Sequence, residues 1–197
     1  MTVAYRMVDI LARAAAWIGG AVLAGLIVLT CLSILGREIN AVLHSLRDTG
    51  FAPQLMQSLI DTGIGAVRGD YELVEAGMAF CIFAFLPLCT LTKGHASVDI
   101  LARALPQRIN RGLELVVAVL MAVVLVIIAL QLEQGLARKL KSGQTTTLLE
   151  LPIWWAYAAC LAGAVLTAVA ACVNAVIAGM ELITGRAFVR APQQVRI

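Results

Sequence analysis

Charge is scarce in this chain. Of 197 residues, 15 are Lys or Arg and 12 are Asp or Glu, together 14% of the sequence, while 61% are hydrophobic. A soluble domain carries roughly 25% charged and about 45–50% apolar residues. A mean hydropathy of +0.91 leaves too much apolar surface for a water-soluble fold to hide, and this excludes that class. Histidine is scarce too: His44 and His95 are the two in the chain, and both stand outside the apolar runs. Haem between helices needs facing axial ligands, commonly histidines, so a haem protein is not expected. No cluster of His, Cys and carboxylate has metal-ligand spacing, so no metal site is expected. The five cysteines (Cys31, Cys81, Cys89, Cys160, Cys172) lie in apolar runs without a CxxC pair. They read as small buried thiols. No Ser/His/Asp or Cys/His arrangement supplies a nucleophile, and no glycine-rich loop offers a phosphate cradle. An enzyme is therefore not expected, nor any cofactor.

Long apolar runs are abundant. Residues 14–35 hold no charge. As a helix they reach about 33 Å, enough for a hydrocarbon core of roughly 30 Å. The apolar region of a cleaved signal peptide is only about 7–15 residues long, which this run exceeds. Further runs give crossings at about 73–92, 113–132 and 153–177. The expected fold is all-α and integral to the membrane: one domain, 1–197, with four transmembrane helices. Gly20 and Ala24 offer a small face on the first crossing, and Gly163, Thr167, Ala171 and Ala175 a small-residue stripe on the fourth. Pro87 inside the second removes a backbone donor and is expected to kink it. Pro152 with Trp154, Trp155 and Tyr157 reads as a helix start anchored at the headgroup layer.

Between the crossings lie a first loop at 36–72, an arm at 93–111, a second loop at 133–152 and a tail at 181–197. Within the first loop, Leu55, Met56, Leu59 and Ile60 after Pro53 predict a short surface helix. In the arm, Ser97 is a good N-cap and Asp99 suits the first turn. Val98, Leu101, Ala102, Leu105 and Ile109 gather on one side, with Asp99, Arg103, Gln107 and Asn110 opposite. Pro106 divides this arm, giving a short amphipathic helix at 97–104 and a new helix that runs into the third crossing. That new helix extends toward Lys141 and breaks at Ser142–Gly143. Arg103, Arg108 and Arg111 are candidates for contact with lipid or a partner protein. Nine Lys/Arg fall on the side of the termini and the arm, against six on the other side. The positive-inside rule then puts the termini and arm in the cytoplasm.

A self-sufficient exporter would place an ionisable group within the membrane. Glu75, one turn inside the second crossing, is the nearest candidate; the plainer reading puts it at the outer interface, paired with Arg37 or Arg68 or hydrated. Broken crossings with polar centres are not seen. The pattern is that of a scaffold subunit more than of a transporter working alone.

The ordered residues resemble a family. Arg37 follows the first crossing; Glu72 and Glu75 open the second. Then come Lys93-Gly94-His95-Ala96-Ser97-Val98-Asp99-Ile100-Leu101, Leu105-Pro106, and Leu151-Pro152-Ile153-Trp154-Trp155-Ala156-Tyr157. Over about residues 14–180 the chain is similar to the small, Q-type (DctQ-like) membrane subunit of tripartite ATP-independent periplasmic (TRAP) transporters. The resemblance implies a bacterial inner-membrane complex of three parts. A periplasmic substrate-binding protein delivers a solute, often an organic acid. A large, M-type membrane subunit carries the substrate and sodium sites and works by ion-coupled symport. The small permease subunit widens that partner's scaffold. Arg37, Glu72, Glu75, His95, Asp99, Pro106, Pro152 and Trp154 carry over as family-motif or structural positions, and none carries over as catalytic, cofactor-binding or metal-binding. The small subunit of a tripartite tricarboxylate transporter and a stand-alone proton-coupled exporter are the alternatives. The first loop is longer than the resemblance leads one to expect, and it is expected to contact the large subunit or the docked binding protein.

Overall fold

The computed structural model describes residues 2–49, 57, 65, 67–92 and 107–184. Among them the chain is all-helical, with α1 at Thr2–Asp48, α2 at Asp70–Leu91, α3 at Gln107–Ser142 and α4 at Trp154–Thr184. All four are long and apolar enough to cross a membrane. The segments expected to form the surface helix at 53–60 and the amphipathic arm helix at 97–104 lie outside the described residues, apart from Gln57.

Helix α1 does not stop with the apolar run at Leu35. It passes Gly36 and continues to Asp48, so the segment read as the start of a loop opens as helix. No proline interrupts residues 36–48, and Arg37, Glu38, Ala41 and Leu43 are good helix formers. At 1.5 Å per residue the helix spans about 70 Å, far more than the roughly 30 Å of a hydrocarbon core. Helix α3 starts directly after Pro106 and ends where Gly143 takes a positive φ of 61°. A tight loop follows. The Thr146 amide donates to the Leu151 carbonyl (2.9 Å), and the Ile153 amide to the Gln144 carbonyl (3.1 Å).

The helices pack in the order α1, α2, α4, α3: α2 lies between α1 and α4, and α4 between α2 and α3. The packed residues are small. Ala12, Leu91 and Ala170 meet at one level, with Tyr5, Val8 and Leu88 around them. Ala122, Leu125 and Ala171 meet at another, with Leu86 and Ala175. In lipid there is little hydrophobic gain from joining helices, so close van der Waals contact does the work, and small side chains permit it.

The small stripe of α4 is used in this way. Thr167 is fully buried and Ala171 nearly so. A Cβ on Gly163 would lie 2.6 Å from the carbonyl oxygen of Phe83. That carbonyl is four residues before Pro87, whose missing N–H leaves it without its usual helical donor. The backbone of α4 therefore closes on the place where the α2 ladder is interrupted. On α1 the small face differs from the expected one. Nothing lies within 4 Å of a Cβ built on Gly20, and Ala24 is exposed. Gly19 makes the close approach, its Cβ position 2.8 Å from that of Ala84. One residue turns a helix face by about 100°, enough to exchange the buried face for a neighbouring one. The thiols also divide. Cys81 and Cys160 are buried, whereas Cys31 and Cys172 lie on exposed faces, against the expectation that all are buried.

Candidate functional site

A cluster of polar side chains with defined partners stands at the end of the bundle where α2 begins. Ser33, fully buried on α1, donates its hydroxyl proton to Asp70 at the first position of α2. The same oxygen accepts the Val67 amide at 3.3 Å. The second carboxylate oxygen of Asp70 accepts the Tyr71 amide at 2.9 Å, so the charge sits over the free amides of a helix N-terminus, where it is favoured. Arg37, one turn beyond Ser33, lies 3.7 Å from Asp70, donates to the Tyr71 hydroxyl at 3.4 Å, and sits 5.8 Å from that ring's centre. Arg37 is half exposed and Asp70 largely covered. The cluster ties the middle of α1 to the start of α2. Just before it, Gly69 has φ 78°, and a Cβ there would run into Leu149.

Glu72 makes the second tie. Its two carboxylate oxygens accept the amides of Leu148 (2.8 Å) and Leu149 (3.0 Å). These belong to the turn at 147–149 between α3 and α4, so one side chain joins α2 to that loop. Next to it lies a groove of about 620 Å³ between α2, the start of α4, the α3–α4 loop and Leu132 of α3. Glu75 stands at its rim and Phe83 and Cys160 at its depth.

A third polar contact lies at the opposite end of α2. The side-chain amide of Asn174 on α4 donates to the Thr90 carbonyl at 2.6 Å. The last four carbonyls of a helix lack helical donors, and Asn174 supplies one of them.

Of the residues singled out in the sequence, Arg37, Glu72 and Glu75 come together at this end, and Pro152 and Trp154 lie beside them at the start of α4. Trp154 meets Trp155 edge to face, with centres 5.7 Å apart. Arg37 takes Asp70 as its ionic partner, and Glu75 is exposed. Arg108 and Arg111 occupy the first turns of α3, their side chains outside the described residues. His95, Asp99, Arg103 and Pro106 also lie outside them. Sequence reasoning missed Ser33, Asp70, Tyr71 and Asn174. Ser33 and Arg37 share a helix face at i, i+4, the one available hint.

This arrangement fastens elements together; it supplies no paired acid and base for catalysis. Among the described residues, no group of three or more His, Cys, Asp or Glu could hold a metal ion. A family model for the DctQ component of tripartite ATP-independent periplasmic transporters matches residues 62–179, from before α2 to the last turns of α4. Comparison with curated proteins and with solved structures gave no match. With its four candidate crossings and that match over more than half its length, this multi-pass chain belongs to the DctQ component family of TRAP transporters.

Proposed function

We propose that the chain is the small permease subunit of a bacterial inner-membrane transporter, holding the large membrane subunit in place while that partner moves the solute. A periplasmic binding protein would deliver the solute, an organic acid, and a sodium or other ion gradient would drive import. The observation that carries this reading is where the polar groups stand. Ser33, Arg37, Asp70 and Glu72 are committed to one another or to the α3–α4 loop at one end of the bundle, and Asn174 to a helix end at the other. The central runs of the four helices carry no Asp, Glu, Lys, Arg or His, which supports leaving coupling chemistry to a partner. Family membership supports the same division of labour.

In this reading the termini and the arm at 93–111 face the cytoplasm. The Asp70 end, the α1 extension beyond Arg37 and the loop at 143–153 face the periplasm. Arg103, Arg108 and Arg111 brace the large subunit or the lipid surface; His95, Asp99 and Pro106 shape that arm. Pro152 and Trp154 set the entry of α4 at the interface. Uptake in cells that lack the chain but keep the other two components tests the reading. Loss of uptake with the large subunit still inserted is expected, and full uptake without the chain would overturn it.

A further inference from the structure

The groove beside Glu72 is lined by apolar side chains with two carboxylates among them. Its α2 wall is one helix face, Glu72, Glu75, Ala76, Ala79 and Phe83, at the three- and four-residue spacing that aligns side chains. From Glu72 to Phe83 this wall runs about 16 Å. Half of a hydrocarbon core of roughly 30 Å is about 15 Å, so the wall matches one leaflet from headgroup to midplane. The cleft is left open by the packing around it. Gly163 draws α4 onto the backbone of α2 at Phe83. Deeper in, Leu86 of α2 packs against the cluster formed by Ala122 and Leu125 of α3 with Ala171 of α4. Toward the rim, α3 instead leans on α4 where Gly135 meets Tyr157. An apolar trough remains along Ala76, Ala79, Phe83 and Cys160, with the α3–α4 loop at its headgroup end.

The rim is acidic. Both Glu72 and Glu75 line it. The Glu72 carboxylate is engaged by Leu148 and Leu149, whereas Glu75 is exposed and positioned one turn below. Trp155 presents an exposed ring at the same rim. A carboxylate is an acceptor only, and it complements a donor-rich cation. It repels the phosphate of an anionic headgroup.

We propose that this groove binds a phospholipid with a primary-amine headgroup, of the phosphatidylethanolamine kind, from the leaflet at the Asp70 end. One acyl chain lies along Ala76, Ala79 and Phe83, and the ammonium group donates to Glu75. The lipid fills a cleft that side chains of this chain leave open, and so fixes the spacing of α2 and α3. This assignment stands on the isolated chain and does not depend on which large subunit it joins.

The test is native mass spectrometry of the purified full-length chain, delipidated and then exchanged into mixed micelles holding equal phosphatidylethanolamine and phosphatidylglycerol. Preferential retention of one phosphatidylethanolamine is expected. Glu75→Gln should lower that preference by up to about fivefold, the worth of one partly exposed ion pair, without loss of helical content. Ala79→Trp, which fills the trough, should abolish retention of either lipid. Equal retention of the two lipids, or preference unchanged in Glu75→Gln, overturns the proposal. So does cross-linking of an Ala79→Cys variant to a protein partner in the assembled complex, since a helix would then occupy the groove.

Discussion

At the scale of single residues, Ser33 is the most consequential polar side chain. It is fully buried and serves two partners at once, accepting from Val67 and donating to Asp70. Ser33→Ala removes both bonds, although Asp70 keeps Arg37 and the Tyr71 amide. A hydrogen bond is worth about 0.5–1.5 kcal/mol, so the variant should melt at a lower temperature in detergent, and an unchanged melting point would deny the hydroxyl this role. Gly163 is equally constrained, for a steric reason. A Cβ there meets the Phe83 backbone oxygen at 2.6 Å, and backbone cannot swing aside as a side chain can. Gly163→Ala should cost about 1–3 kcal/mol of stability. Gly20→Ala, with open space around it, should be neutral or slightly stabilising, because alanine is the better helix former. Thermal unfolding of the pair decides it: equal effects would refute the close approach. The close approach at Gly163 was legible from its place in the small-residue stripe, whereas the role of Ser33 was not. Ser33 reads as one more small residue in an apolar run, and its partners are 34 and 37 residues away.

At the scale of the elements, the helices were legible where charge is absent and less so where they leave the membrane. The four apolar runs predicted four crossings, because a span of about 20 uncharged residues has few other uses. The extension of α1 to Asp48 escaped notice because its polar residues carry no hydropathy signal and Gly36 looked like an end. The stripe on α4 was legible since small residues at four-residue spacing share a face; the face on α1 was displaced by one residue, from Gly20 to Gly19. Glu72 acts between elements. With its two oxygens engaged by Leu148 and Leu149, it holds the α3–α4 loop onto α2. Glu72→Ala should leave helical content unchanged and speed amide exchange at residues 148 and 149 selectively. Exchange that is uniform along the loop, or unaltered, would count against the tie. Asn174→Leu should remove the donor to the Thr90 carbonyl and loosen the last turn of α2. Interhelical hydrogen bonds in membranes are worth only about 0.6 kcal/mol on average, so the expected loss of stability is small. The readout is the exchange of the Leu91 and Thr92 amides, which should rise while those of Cys81 and Ile82 do not.

At the scale of the whole molecule, α1 and α3 form the two sides of a row of four helices, and both present many large apolar side chains outward. Trp17, Ile27, Leu32 and Leu35 on α1 and Val116, Leu120, Val124 and Ile127 on α3 are each about half exposed or more. Lipid or a partner covers them in the membrane. The proposed topology puts the Asp70 end in the periplasm. A single cysteine in place of Thr49, at the end of α1, should therefore react with an impermeant maleimide added to intact spheroplasts. Protection until the cells are lysed would invert the topology. Family membership and the absence of Asp, Glu, Lys, Arg and His from the central runs support the proposal that this chain is a subunit whose partner transports. Co-expression with the large membrane subunit, followed by affinity purification of this chain in mild detergent, tests it most directly. A single complex containing both chains, held together through size-exclusion chromatography, is expected, with the triple variant Arg103→Glu, Arg108→Glu, Arg111→Glu weakening it. Elution of this chain alone, with the large subunit intact in its own peak, would contradict it.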